Sequence, residues 1–313
     1  MTSVPSALVI GEALIDIVRT GNERFYLPGG SCANVAVALA RLGRRAALVT
    51  SYGDDHLGDL LDAHLVESGV EVLSGSRRTG VRTSSADAAI GPDGSATYRF
   101  DVSWDPDIQI EPDLYTVVHI GSIGAVMSPG AESVRRTVDA VGRSATVTYD
   151  VNARPALFGD RNEAVDKVTR LVAASDVVKA SDEDLAWLHP AQPVDATAAT
   201  WLELGAAAVL VTSGGTGASV FTPRGRVDVQ GARVEVVDTI GAGDTFSAAM
   251  IDGLWSSGLL GADNHERLRE LALPQWRRVA EYAALAAGVT VSRPGADPPY
   301  RHELSTKLAL LNP

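Results

Sequence analysis

Short apolar runs alternate with amphipathic stretches along most of this chain. Residues 7–10 read as a buried strand ended by Gly11, and residues 14–18 as a short strand carrying Asp16. Residues 27–30 read as a turn. From 33 to 42, apolar residues recur at Val35, Ala38, Leu39 and Leu42, the spacing of one helix face, with Gly43 as a stop. A strand over 46–50 and an amphipathic helix over 57–67 follow. The alternation returns further on. It predicts strands over 117–120, 146–149, 177–179 and 208–212, and helices over 129–141, 163–173, 182–188 and 196–204. Such a pattern implies a mostly parallel sheet with helices on both faces.

Two stretches break the pattern. Residues 83–100 alternate in polarity around Gly91-Pro92-Asp93-Gly94, which reads as a hairpin turn. They predict a small antiparallel sheet standing off the main one, with residues 70–72 joining it. Residues 219–221, 226–229 and 233–237 predict an antiparallel edge to the main sheet. Helices are then expected from the Gly241 loop to about 255, over 275–287 and over 303–311. The charged stretch 263–269 reads as a solvated loop or helix face. No internal repeat or low-complexity segment interrupts the chain.

Composition narrows the class. The 313 residues are 45% hydrophobic and 21% charged, and no apolar run is long enough to span a bilayer. The formal net charge is −12 with no basic stripe, which argues against nucleic acid and anionic membrane as partners. A single cysteine, Cys32, excludes an intramolecular disulfide. Residues 1–6 lack the charged and apolar regions of a signal peptide, so a cytoplasmic protein is expected.

The candidate chemistry sits in two glycine loops. In Asp238-Thr239-Ile240-Gly241-Ala242-Gly243-Asp244, small residues open an apolar helix and an aspartate closes the loop. Backbone N–H groups there can approach an anion, helped by the positive end of the helix dipole. A carboxylate among them suits a base that accepts a hydroxyl proton, although Asp244 could equally be a helix cap. Ahead of an earlier helix, Gly29-Gly30 allows close backbone approach and offers a hinge. Asn34, inside that helix, carries an amide suited to a sugar hydroxyl. No Gly-Lys-Ser/Thr loop is present, which excludes a P-loop enzyme. Gly11 stands alone after the first strand, which counts against a dinucleotide-dependent oxidoreductase.

Gly29-Gly30, Asn34 and the helix ending Arg41-Leu42-Gly43 resemble the N-terminal signature of the ribokinase (PfkB) family of carbohydrate kinases. Asp238 to Asp244 resembles its C-terminal signature, at the family's order and separation. Gly11-Glu12-Ala13-Leu14-Ile15-Asp16, Val211 to Ala218 and Thr290 to Ala296 are also similar to family segments. The resemblance implies one ribokinase-like catalytic domain over 1–313. Its fold would be a three-layer α/β sandwich with a small antiparallel β lid, formed by about 12–27 and 70–105.

What the resemblance implies for the residues is specific. Asp244 is the base, and the N–H groups of Gly241, Ala242 and Gly243 form the anion hole. Asp16, Gly29, Gly30 and Asn34 hold the sugar. Asn152 and Arg154 join them, because Asp150-Val151-Asn152-Ala153-Arg154-Pro155 is similar to segments of fructokinases and 2-keto-3-deoxygluconate kinases. Tyr98 and Phe100 of the lid either cover the sugar, pack between two copies, or are buried in the lid itself. Lys179, Ser181, Thr212, Gly214 and Gly217 fall on the nucleotide side. Asp184 corresponds to an outer-shell Mg²⁺ residue, with Glu183 as alternative, although Ser181 and Asp184 depart from the family's Asn and Glu. Asp238, Ile240, Thr290 and Gly295 correspond to a monovalent-cation site for K⁺. ATP and Mg²⁺ are the implied cofactors, and a homodimer through the lid is a possible assembly.

The expected reaction is ATP-dependent phosphorylation of a primary hydroxyl, with D-fructose as the leading sugar. The alternatives are 2-keto-3-deoxygluconate, ribose and a catalytically silent sugar- or nucleotide-binding protein.

Overall fold

A computed structural model describes residues 6–20, 23–90 and 96–311. In chain order, β1 (Ala7–Ile10), β2 (Leu14–Thr20) and β3 (Glu23–Gly29) lead into α1 (Ser31–Arg41). Then come β4 (Ala46–Val49), β5 (Tyr52–Gly53), α2 (His56–Glu67), β6 (Glu71–Val72) and β7 (Arg77–Arg78). Strands β8 (Ser85–Ile90), β9 (Ala96–Asp101) and β10 (Val117–Gly121) precede α3 (Ser122–Val126) and α4 (Gly130–Val141). Next are β11 (Thr146–Asp150), α5 (Pro155–Phe158), α6 (Arg161–Ala173), β12 (Val177–Ser181), α7 (Asp182–Leu188) and α8 (Val194–Glu203). Strands β13 (Ala208–Thr212), β14 (Gly217–Thr222) and β15 (Gly225–Gln230) are followed by α9 (Ala242–Ser256), α10 (His265–Arg269), α11 (Leu273–Val291) and α12 (Arg301–Leu311).

The main sheet has the order β15-β14-β13-β12-β11-β10-β1-β4-β6. All its pairings are parallel except β13 with β14 and β14 with β15. Its central strands are buried on both faces because helices cover both. Ala7 and Val9 of β1 face the core built with α1, α2, α9 and α11. Leu8 and Ile10 face the opposite core, built with α4, α6, α7 and α8. Alternate residues of one strand thus serve two layers, which explains why β1 and β4 carry no polar position. Chain order reverses between β1 and β10, so a crevice opens at their carboxyl ends.

A second sheet, β3-β2-β8-β9, stands off this frame. Its outer pairs are antiparallel, and β2 and β8 run parallel at its centre. Three expectations are corrected. Residues 70–72 do not join this sheet: β6 pairs with β4 and extends the main sheet. Residues 233–237 form no strand, because β15 ends at Gln230 and leaves only two antiparallel edge strands, β14 and β15. Residues 27–29 are not a turn. They continue β3, with Leu27 opposite Asp16 and Gly29 opposite Leu14, and Pro28 is tolerated at this sheet's edge. The hairpin turn expected at 91–94 lies outside the described residues.

Candidate active site

Helix α9 begins at Ala242, with Gly241 as its N-cap at φ 73°. A side chain at Gly241 would lie 2.7 Å from the Cβ of Ala296, so both backbone conformation and space demand glycine there. Asp244 is in the first turn and is buried. Of the N–H groups that open the helix, that of Ala242 donates to the Thr239 carbonyl at 3.3 Å, while those of Gly241 and Gly243 lack a helical partner one turn back and are available to an anion. A Cβ on Gly243 would sit 2.9 Å from Lys179 Nζ, which places that ammonium directly behind the loop.

Both oxygens of Asp244 are held from α1. Ser31 Oγ donates to Oδ1 at 2.7 Å, and Asn34 Nδ2 donates to Oδ2 at 2.8 Å. Burial pushes the Asp244 carboxyl above the usual carboxylate range, while the bonds from Asn34 and Ser31 pull it back. Asn34 lines the cavity as expected, but its amide nitrogen is committed to the aspartate.

Asp244 stands on the wall of a cavity of about 530 Å³ at the carboxyl ends of the central strands. The cavity brings together many of the expected site residues: Asp16, Gly30, Asn34, Phe100, Asn152, Arg154, Ile240, Gly241, Gly243 and Asp244. Gly29 lies just behind, where a side chain would meet Asp16 Oδ2 at 2.6 Å. Burial raises Asp16 to about 6, against the pull of Arg154 and with a further push from Asp244. The side chain of Tyr98 is outside the described set. Its backbone pairs with Ala88, and Phe100 pairs with Ala86, which also lines the cavity.

Three lining residues were not singled out in the sequence. Glu12 stands two residues past the end of β1, after Gly11, and is buried. It accepts from the N–H of Ser31 at 3.1 Å and from that of Gly124 at 2.9 Å. Burial lifts its carboxyl to about 7, against those bonds and the charge of Arg154. Ser31 was hidden because a serine after two glycines looks like a helix start. Ser122, at φ 49°, donates to the carbonyl of Asn152, itself at φ 35°. An acidic residue one glycine past a fully apolar strand was the available signal for Glu12.

The nucleotide-side candidates lie apart from this cavity wall. Lys179 is turned inward: its Nζ donates to Asp150 Oδ2, as does Ser247 Oγ. Ser181 caps α7, donating its N–H to Asp184 Oδ2 while its hydroxyl accepts from the Asp184 N–H. Asp184 Oδ1 accepts from the Ala153 N–H at 2.7 Å. Each oxygen therefore already takes one backbone N–H, which leaves room for a contact through water but not for a dedicated metal cage. Among the described residues no group of three or more acidic, His or Cys side chains forms a metal cluster.

Thr212 pairs with Ser181 across β13 and β12. At Gly214 a side chain would meet nothing within 4 Å, so that backbone faces open space. Gly217 is the reverse case, with φ 122° and a Cβ position 2.1 Å from the Val229 carbonyl oxygen. On the far side of the loop, Asp238 accepts from the N–H groups of Ile240 and Gly295. The carbonyls of Thr290 and Gly295 accept from Arg293 and Asp297. These four residues are gathered in one place, with part of their acceptor capacity already used.

Comparison with known proteins bears on this arrangement. Residues 4–302 match the model of the pfkB family carbohydrate kinases. A fructokinase of Rhizobium leguminosarum bv. trifolii is 36% identical over 278 residues, covering 85% of each chain. A crystal structure of fructokinase with bound ATP from Xylella fastidiosa superposes with a TM-score of 0.83 at 26% identity, covering 98% of this chain and 99% of that one. A fructokinase from Vibrio cholerae O395, bound to fructose, ADP and calcium, gives 0.80 at 26% identity, covering 96% of this chain and 98% of that one.

Proposed function

The chain belongs to the pfkB family of carbohydrate kinases, and from that premise we propose that it transfers the γ-phosphoryl group of ATP to the primary hydroxyl of D-fructose. The observation that carries the choice of sugar is the charge of the cavity wall. Among its described lining residues Arg154 is the one cation, against the carboxylates of Glu12, Asp16 and Asp244. A neutral ketose suits that wall. A carboxylate substrate buried there would need more cationic compensation. The fructokinase relatives, and the neighbour with fructose and ADP bound, support the same reading.

The roles follow from chemistry. Asp16, Asn152 and Arg154 hold the sugar oxygens, with Gly29 and Gly30 against the ring and Phe100 on the lid side. Asp244 accepts the proton of the attacking hydroxyl, whose nucleophilicity is otherwise weak. The N–H groups of Gly241, Ala242 and Gly243 stabilise charge on the transferring phosphoryl group, with Lys179 as a fixed positive charge behind them. Thr212, Gly214 and Gly217 line the nucleotide side.

Mg²⁺ bound with ATP neutralises phosphate charge, and Asp184 or Glu183 would reach it through water. Asp238, Ile240, Thr290 and Gly295 would hold K⁺. The residues act as one catalytic domain with β2, β3, β8 and β9 as its lid. The apolar side chains of Phe25, Tyr26 and Leu27, 39–49% exposed on the edge strand β3, support a homodimer through that lid. Among the described residues no helix is long and apolar enough to cross a membrane, and a cytoplasmic location fits a kinase that draws on ATP.

The test is an ADP-release assay with fructose, ribose, adenosine and 2-keto-3-deoxygluconate at equal ATP. Fructose should give the highest kcat/KM. A preference for 2-keto-3-deoxygluconate would overturn the sugar assignment and leave the kinase standing. ADP release with none of them, in folded protein, would point to a silent binder.

A further inference from the structure

Ser31 sits between the two sides of the cavity. Its hydroxyl donates to Asp244 Oδ1 at 2.7 Å and accepts from Asn152 Nδ2 at 2.8 Å. Asn152 Oδ1 in turn accepts from Arg154 at 2.7 Å. The three bonds run in one direction, from the guanidinium to the aspartate. A hydroxyl has one proton, and the Asn152 amide, which can only donate at Nδ2, takes up acceptor capacity on Oγ. That leaves the proton of Ser31 to point at Asp244. Its backbone is held as well, because the N–H of Ser31 is bonded to Glu12. With Asn34 on Oδ2, each oxygen of Asp244 carries one bond from α1 and keeps a lone pair for a substrate hydroxyl.

We propose that Ser31 is a positioning residue: it orients Asp244 and keeps it ready to accept a proton, through a hydrogen-bond chain that begins at Arg154. The inference rests on reading Asp244 as the base. The charged and titratable groups facing Asp244 are Asp150 and Lys179 from the sheet, Asp16 from β2, and Cys32 from α1. None of them touches Oδ1 as Ser31 does. Loss of a hydrogen bond to a charged group is worth about tenfold in a rate when the charge must be present for reaction.

The variants are Ser31→Ala, Ser31→Gly, Asn152→Gly and the double variant S31A/N152G. Glycine is chosen at 152 because it removes the amide and still accepts a positive φ. In S31A, kcat for the sugar should fall about tenfold with little change in KM, and the acidic limb of the kcat–pH profile should move to higher pH. S31G should do the same. At saturating sugar the kcat of the double variant should be no lower than that of S31A, since both changes cut one chain, and the loss of the sugar contact of Asn152 should fall on KM. Wild-type kcat with an unmoved acidic limb, or losses that multiply in the double variant, would overturn the proposal.

A second readout separates it from the base assignment. The Asp244 carboxyl can be titrated by carbon NMR, its signal identified by its loss in D244N. An upward move of that titration in S31A upholds the contact whatever D244N does to turnover, and an unmoved titration overturns it. Retained turnover in D244N would instead overturn the base assignment alone.

Discussion

Lys179 Nζ lies 3.0 Å from Asp150 Oδ2, and the two side chains are 5% and 0% exposed. The pair sits beneath the glycine loop, with Ser247 as a second donor to the same oxygen. Burial favours an uncharged lysine, but Asp150, Asp184 and Asp244 outweigh it and raise the Lys179 ammonium above its ordinary range. Lys179→Met would leave the buried Asp150 without its cation. Breaking a buried pair on one side costs about 3–5 kcal/mol. Urea unfolding should show a loss of that order in K179M and recovery of a large part of it in D150N/K179M. Equal stability of K179M and wild type would show that the pair contributes no net support.

Asp244→Asn keeps the shape of the side chain and removes the proton acceptor. Turnover should fall by about 10²–10⁴-fold, the usual range for loss of a general base. Sugar affinity, read by calorimetry, should change little. A near wild-type kcat would place the base elsewhere.

Asp16 should make sugar binding sensitive to acid. Its carboxyl titrates at about 6, raised by burial and opposed by Arg154. Below that pH it is protonated and loses its value as a charged acceptor for hydroxyls, so the sugar KM should climb as pH falls through 6. The ATP KM should not follow it. In Asp16→Asn the sugar KM should be high and flat across the same range. A wild-type sugar KM constant from pH 5 to 8 would remove Asp16 from the binding set.

Glu12 predicts a pH effect on stability. Its carboxyl is raised to about 7 from an ordinary 4.5. The folded state therefore holds a proton that the unfolded chain gives up, and stability falls as pH rises from about 4.5 through 7. Glu12→Gln cannot titrate. It loses one acceptor for Ser31 or Gly124 at every pH, but relative to wild type it should gain about 3 kcal/mol between pH 4 and pH 8. Denaturation of the two proteins at both pH values measures this. A difference independent of pH would mean that Glu12 titrates normally.

The frame was legible because parallel strands buried on both faces are short, rich in apolar and β-branched residues, and alternate with helical stretches. The runs at 117–120, 146–149 and 208–212 all became strands of the main sheet. The second sheet was harder to read. Phe25, Tyr26 and Leu27 look like neither a clean alternation nor a buried run, because β3 is an edge strand exposed along most of its length. Glu71-Val72 joined the main sheet through only two pairs, a choice made by its neighbour β4 rather than by its own pattern.

At the site, Asp16, Arg154 and Asp244 stand out in the sequence by type and motif, whereas Glu12 and the partners of Asp244 do not. The sequence places Asp244 in a glycine loop. That Ser31 and Asn34, over 200 positions earlier, hold its two oxygens depends on the packing of α1 against α9. The setting of Lys179 was hidden for the same reason: only the register of β11 with β12 sets it opposite Asp150.

One joint in the chain has a mechanical meaning. Strand β3 ends at Gly29 and α1 begins at Ser31, so a single residue separates the second sheet from the helix that grips Asp244. That residue, Gly30, has φ 101°, and a side chain on it would lie 2.6 Å from the Glu12 carbonyl oxygen. Little slack exists at such a junction to absorb a tilt of the sheet. The second sheet and the grip on the aspartate are thus joined like two arms of one lever, with Gly30 at the joint.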